Sequence, residues 1–173
     1  MARLFQEYNN YVMKKSFLFS LFIISIFRSF GQTIIDRDPA IQNMVSEVSK
    51  DSLESYVRKL VSFGTRNTLS TQTNPKRGIG AARNWVLGKF NEFAKQSDGR
   101  LSAFIDTTTL QPDKRRIDTV TLLGNVVATL KGTDPNDNRI FIISGHLDNM
   151  RSSPTERMGD APGANDDASG CAA

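Results

Sequence analysis

The chain has only one cysteine, one histidine and one tryptophan among 173 residues, and its formal net charge is a modest +4. A single cysteine, Cys171, forms no internal disulfide, so a cross-linked scaffold is excluded. No repeat or low-complexity domain interrupts the sequence. One hydrophobic run stands out, Ser16 to Phe27, and it falls short of the roughly 20 residues that span a bilayer.

That run has a specific context. Met13-Lys14-Lys15 precedes it, and the small residues Ser29 and Gly31 follow, ahead of Gln32. A basic start, a short apolar centre and small residues near a cut site describe a secretory signal peptide. The expected organisation is a signal over residues 1–31, with Met13 as a possible true start, and a catalytic-domain portion over 32–173. Secretion or periplasmic export follows, with no stable membrane anchor after cleavage. Loss of residues 1–31 would remove Arg3, Lys14, Lys15, Arg28 and Glu7, leaving a net charge of +1. With so little excess charge, and no basic stripe with interleaved aromatics, no nucleic-acid partner is expected.

Helical and strand periods alternate along the rest. Asp38-Pro39 reads as a cap with proline in the first turn, followed by Ile41, Met44, Val45 and Val48 at helical spacing. Asp51 with Glu54 resembles a capping box, ahead of an apolar stripe through Leu53, Tyr56, Val57, Leu60 and Val61. Phe63 to Thr68 ends that helix, the polar stretch from there to Lys76-Arg77-Gly78 reads as a surface loop, and Ile79, Ala82, Val86, Phe90 and Phe93 mark a third helix, with Trp85 beside that face. Leu101–Leu110 and Thr119–Leu130 have strand composition, the second with a bulge expected at Gly124. After a turn at Asp134–Asn138, Arg139–Ser144 reads as a strand buried on both faces. The expected class is therefore α/β with a mixed sheet, in which ligands collect beyond the strand ends.

Several motifs have ordinary explanations. Gly78-Ile79-Gly80 begins like a dinucleotide fingerprint, yet it lacks the third glycine and follows a loop instead of a strand. Asp134, Asn136 and Asn138 imitate half a calcium loop, but Arg139 stands where glycine is required. Lys114-Arg115-Arg116, between Asp113 and Asp118, reads as a solvated connection. Ser169 shows no nucleophile-elbow pattern.

The informative region is Gly145-His146-Leu147-Asp148, followed by Ala161-Pro162-Gly163-Ala164-Asn165-Asp166-Asp167-Ala168-Ser169-Gly170. Neutral imidazole and ionised carboxylate are the ligand types of a catalytic zinc site. In an extended chain Asp148 points to the same side as His146 and could fix its tautomer through the second ring nitrogen. Two adjacent carboxylates between glycines repel one another unless a cation or a proton relieves them.

GHLD followed by APGANDDASG resembles the secreted zinc aminopeptidases of metallopeptidase family twenty-eight, the bacterial leucyl aminopeptidase type. The segments LVSFGTRNT, GNVVATLKG and FIISGHLD extend the resemblance over roughly residues 48–173. It implies a three-layer αβα zinc exopeptidase fold, incomplete here, and two zinc ions per complete site. By position, His146 matches a zinc ligand and Asp166 the carboxylate that bridges both metals. Asp148 is the candidate catalytic residue, matching the aspartate that orients the histidine. Asp167 follows the bridging residue across a peptide bond that is often cis in the family, and its acidity distinguishes the peptidases from the related one-zinc glutaminyl cyclases. The resemblance also implies a glutamate base and further ligands beyond Ala173, so the chain reads as an amino-terminal part of the enzyme. The implied substrates are peptide or protein amino termini. The alternatives are an exported, non-catalytic module of the same fold and a glutaminyl cyclase.

Overall fold

The computed structural model describes Arg3, Gln6, residues 11–15 and residues 37–173. The apolar run and the expected cleavage site before Gln32 lie outside the described residues. The chain divides into two compact units, Met1–Val48 and Ser49–Ala173.

In the first unit, helix α1 spans Pro39–Ser46. The Asp38 carboxylate accepts a hydrogen bond from the Ala40 amide at 2.8 Å, and Pro39 occupies the first turn, as its cap-proline pair predicts. No residue of α1 is buried, and the stripe of Ile41, Met44, Val45 and Val48 is exposed.

The second unit opens with α2, Lys50–Val61. Its cap is Ser49, whose hydroxyl accepts from the Ser52 amide at 3.2 Å, and not the expected Asp51–Glu54 box. Asp51 instead lies in the first turn, where its charge faces the positive end of the helix, and Glu54 pairs with Arg58 at 2.6 Å. The apolar stripe does turn inward, with Leu60 fully buried.

Between α2 and the next helix the sequence expectation fails. Thr65, Arg66 and Asn67, in the stretch that ends the helix, are buried, and so are Leu69 and Ser70, where a surface loop was expected. Burial of so polar a segment is tolerable because its groups are paired internally. Asn67 Oδ1 accepts from the Leu69 amide at 2.8 Å, and the Ser70 hydroxyl donates to the Asn67 carbonyl at 2.6 Å. The same hydroxyl accepts from the Ile79 amide at 2.9 Å, which serves a free N–H at the start of α3, where Arg77 provides no side-chain cap.

Helix α3 spans Gly78–Ala94, and its first six residues are all buried. The small residues that imitate a nucleotide fingerprint serve packing: a Cβ on Gly80 would collide with the Gln72 main chain. Trp85 meets Tyr56 edge-on at 5.7 Å between ring centroids and Phe63 at 6.4 Å. Leu60, Phe63, Ala81, Ala82 and Ala168 form the core, with Val57, Trp85, Val86, Leu147 and Cys171 against it.

Strands β1, Leu101–Leu110, and β2, Thr121–Leu130, pair antiparallel from Leu101↔Leu130 to Leu110↔Thr121, and α3 packs on both. The register runs unbroken through Thr107↔Gly124, so the expected bulge is absent. Gly124 instead makes room for the buried Arg83 side chain, which a Cβ there would strike. The connection between the strands is exposed, as expected, and its turn is organised by the Asp113 carboxylate. That group accepts from the amides of Arg115, Arg116 and Ile117 at 2.8 Å each, which lowers its pKa to about 2.

The α/β class is as expected, and the described sheet has two antiparallel strands. Arg139–Ser144 is not a buried strand: it is irregular, and Ile140, Phe141, Ile142 and Ile143 are 82–99% exposed. A strand buried on both faces needs hydrogen-bonded neighbours and layers above and below it. Among the described residues no strand pairs with this segment.

Two glycines of α3 give opposite predictions. Replacing glycine by alanine inside a helix gains about 1 kcal/mol of propensity, whereas forcing a methyl group into a packed site costs about 1–3 kcal/mol. Nothing lies within 4 Å of a Cβ at Gly88, so Gly88→Ala is expected to raise the melting temperature. Gly80→Ala is expected to lower it, since backbone opposes the new methyl. Thermal unfolding followed by circular dichroism checks both signs.

Candidate metal centre

After Gly145 the chain alternates between solvent and interior. Leu147 and Asn149 turn inward, while His146 and Asp148 face outward on the same side. Gly145 permits the approach of this segment to the final helical turn: a Cβ there would lie 3.3 Å from the Gly170 carbonyl and the Cys171 amide.

The acidic loop closes on itself. Gly163 adopts φ +49°, a left-handed conformation suited to glycine, and its carbonyl accepts from the Ala168 amide at 3.1 Å. A helical turn follows over Ser169–Ala172. The Asp166–Asp167 peptide is cis. Asp167 Oδ1 accepts from the Gly170 amide at 3.0 Å, which ties that carboxylate to the following turn.

His146 and Asp166, 20 positions apart in sequence, meet with Nε2 and Oδ1 separated by 3.0 Å, and both side chains are more than half exposed. The other imidazole nitrogen, Nδ1, lies 3.0 Å from the main-chain carbonyl of Asp148. The Asp148 carboxylate, expected to accept this bond, is farther away at 3.5 Å. It is drawn aside by Thr68, whose hydroxyl donates to Oδ2 at 3.2 Å. The imidazole pKa is raised, first by the Asp148 carbonyl and then, against the opposing effect of burial, by the Asp148, Asp167 and Asp166 charges.

The donor pair fits a zinc ion. With both donors at zinc-ligand distances of about 2.0–2.2 Å in a tetrahedral shell, nitrogen and oxygen would stand about 3.4 Å apart. The observed 3.0 Å needs only a small opening. A proton on Nδ1, held by the Asp148 carbonyl, leaves the Nε2 lone pair available. Among the described residues no group of three or more histidine, cysteine, aspartate or glutamate side chains is arranged around a metal position. His146 and Asp166 would thus supply two of the four ligands that such a shell requires.

Arg66 and Asn149, neither of them singled out by sequence reasoning, hold these segments together. Arg66 is 1% exposed, and four of its N–H groups reach main-chain carbonyls. Nε donates to Leu147 at 2.8 Å, Nη1 to Leu60 at 3.0 Å and Pro162 at 2.9 Å, and Nη2 to Gly163 at 2.9 Å. Asn149 Oδ1 accepts from the Arg66 amide at 2.9 Å, the Asn149 amide donates to the Arg66 carbonyl at 3.3 Å, and Asn149 Nδ2 donates to the Ala161 carbonyl. Burial lowers the pKa of Arg66, opposed by the nearby Cys171, Asp148 and Asp167. A sequence signal for Asn149 existed: it is a polar residue at an inward-facing position of an alternating segment.

Cys171, half buried against the core, has its thiol pKa raised by burial first and then by the Asp167 and Asp148 charges, with Arg66 opposing. The thiolate is the reactive form, and it becomes populated only at a pH above its ordinary range. Iodoacetamide at pH 8 is therefore expected to alkylate Cys171 more slowly in the folded protein than in denaturant, as mass spectrometry would record.

Comparison with known proteins bears on this site. No solved structure matches the chain. Over 136 residues it is 47% identical to a probable zinc metalloprotease of Pyrenophora tritici-repentis, a match covering 78% of this chain and 31% of that one. A probable zinc metalloprotease of Pyrenophora teres f. teres is 48% identical over 136 residues, covering 78% and 29%. Leucine aminopeptidase 1 of Grosmannia clavigera is 28% identical over 133 residues, covering 77% and 28%. The chain spans about a third of the length of the curated relatives it matches. The family described as Peptidase family M28 matches residues 125–173, the segment that contains His146, Asp148, Asp166 and Asp167.

Proposed function

We propose that this chain is part of a secreted zinc metallopeptidase of family M28, and that the whole protein removes residues from the amino termini of peptides or proteins. The observation that carries the reading is the 3.0 Å approach of His146 Nε2 to Asp166 Oδ1, with Nδ1 already engaged by the Asp148 carbonyl. Similarity to probable zinc metalloproteases supports the metal and the hydrolytic chemistry. The lower similarity to a leucine aminopeptidase supports an exopeptidase action. The short apolar run after Lys14-Lys15 supports export.

His146 and Asp166 would hold zinc, with Asp166 shared between two ions. When bound, zinc supplies Lewis acidity and lowers the pKa of a coordinated water. The residues of this chain then have distinct tasks. The Asp148 carbonyl retains the Nδ1 proton and aims the imidazole, while the Asp148 carboxylate, 3.5 Å from Nδ1 and bonded to Thr68, adds negative charge that strengthens the imidazole as a donor. Asp167, tied to the Gly170 amide, keeps the acidic loop closed beside Asp166.

The full-length protein tests this reading. Hydrolysis of an aminoacyl-nitroanilide is expected to disappear on treatment with a chelator and to return with added zinc. Peptidase activity indifferent to chelation would overturn the proposal. His146→Ala is expected to lower bound zinc measured by atomic absorption, and Asp148→Asn to reduce activity by roughly 10–100-fold through weakened support of the imidazole.

A further inference from the structure

The core of the second unit contains one buried cation whose bonds all end on main chain. Among the described residues Arg66 forms no ion pair: its guanidinium meets the carbonyls of Leu60, Leu147, Pro162 and Gly163. Two of these positions bear on the candidate metal centre. Leu147 lies between His146 and Asp148, and Gly163 is the residue whose left-handed turn starts the loop carrying Asp166. Asn149 repeats the pattern, accepting from the Arg66 amide and donating to the Ala161 carbonyl just ahead of the same loop.

We propose that Arg66, with Asn149, is a positioning residue that sets the separation between the His146 and Asp166 donors. This rests on the reading of these two side chains as zinc ligands. The geometry supports the role because both ligand-bearing segments are irregular at the ligand itself: residues 139–148 form no ladder, and Asp166 and Asp167 have non-helical backbone angles. Regular structure therefore does not fix the gap between them. The planar guanidinium does, by bonding one segment through Nε and the other through Nη1 and Nη2. Being 1% exposed, it is also protected from competition by water. Lysine retains the charge, but its ammonium has three N–H donors at one point and cannot reach all four carbonyls that the guanidinium fork bonds.

The test uses the full-length protein loaded with zinc or cobalt. Arg66→Lys is expected to weaken zinc binding by roughly 10–100-fold in competition with a chromophoric chelator. It is also expected to change the visible spectrum of the cobalt form and to lower kcat more than it raises KM. Gly80→Ala, whose new methyl group meets the Gln72 main chain, controls for destabilisation. It is expected to lower the melting temperature while leaving zinc affinity and the cobalt spectrum as in the wild type. If Arg66→Lys does not fold, Asn149→Ser provides the same readings, since it loses the donor to the Ala161 carbonyl. Wild-type zinc affinity and an unaltered cobalt spectrum in the folded variant would overturn the positioning role. Failure of the wild-type protein itself to bind zinc would overturn the metal-site reading instead.

Discussion

A guanidinium taken out of water must find acceptors for its N–H groups, and Arg66 finds them on the main chain of three separate segments. Much of the second unit is arranged around that requirement. The end of α2, the segment leading into the acidic loop and the strand-like stretch around Leu147 each give up a carbonyl to the same side chain. Because carbonyls are neutral, no carboxylate offsets the cation there, and its charge opposes the rise that burial gives the Cys171 thiol pKa. Structural bonding and local electrostatics are thus properties of one residue.

The apolar core lies beside this polar knot and reinforces it. Leu147 and Cys171 pack on the cluster of Leu60, Phe63, Ala81, Ala82 and Ala168. Ala168 follows directly on the acidic pair, so burial of its methyl group anchors the far end of the loop that carries Asp166. Small residues at the start of α3 let the helix approach the Gln72 backbone closely, while Ser70 supplies the missing cap at Ile79. Apolar packing and polar satisfaction therefore meet at the same boundary.

What could be read from the sequence followed from periodicity and local chemistry. The Asp38-Pro39 start, the stripe of α2, the third helix and the two paired strands all emerged where apolar spacing and cap residues indicated them. The convergence of His146 with Asp166 was legible chiefly because GHLD and APGANDDASG resemble a zinc peptidase family, which pairs these two positions at one metal site; alternation alone placed only Asp148 beside His146. The burial of Thr65–Ser70 was not, since polar composition signals exposure unless the partners of each group are known. Arg66 escaped notice for the same reason: its acceptors are main-chain atoms, which leave no trace in side-chain identity. Arg139–Ser144 shows the opposite limit, a segment with strand composition that has no ladder partner among the described residues.

The bonds from Arg66 to Pro162 and Gly163 join residues nearly a hundred positions apart, as do those from Thr68 and Asn67 to Asp148 and Pro154 at slightly shorter range. Contacts so remote require a large loop to close before any of them forms. During synthesis, α2, α3 and the β1–β2 hairpin can take shape from near neighbours while the guanidinium is still hydrated. Only when Gly163 has emerged from the ribosome does Arg66 acquire its full set of acceptors, so the imidazole cannot be locked beside the acidic loop before that point.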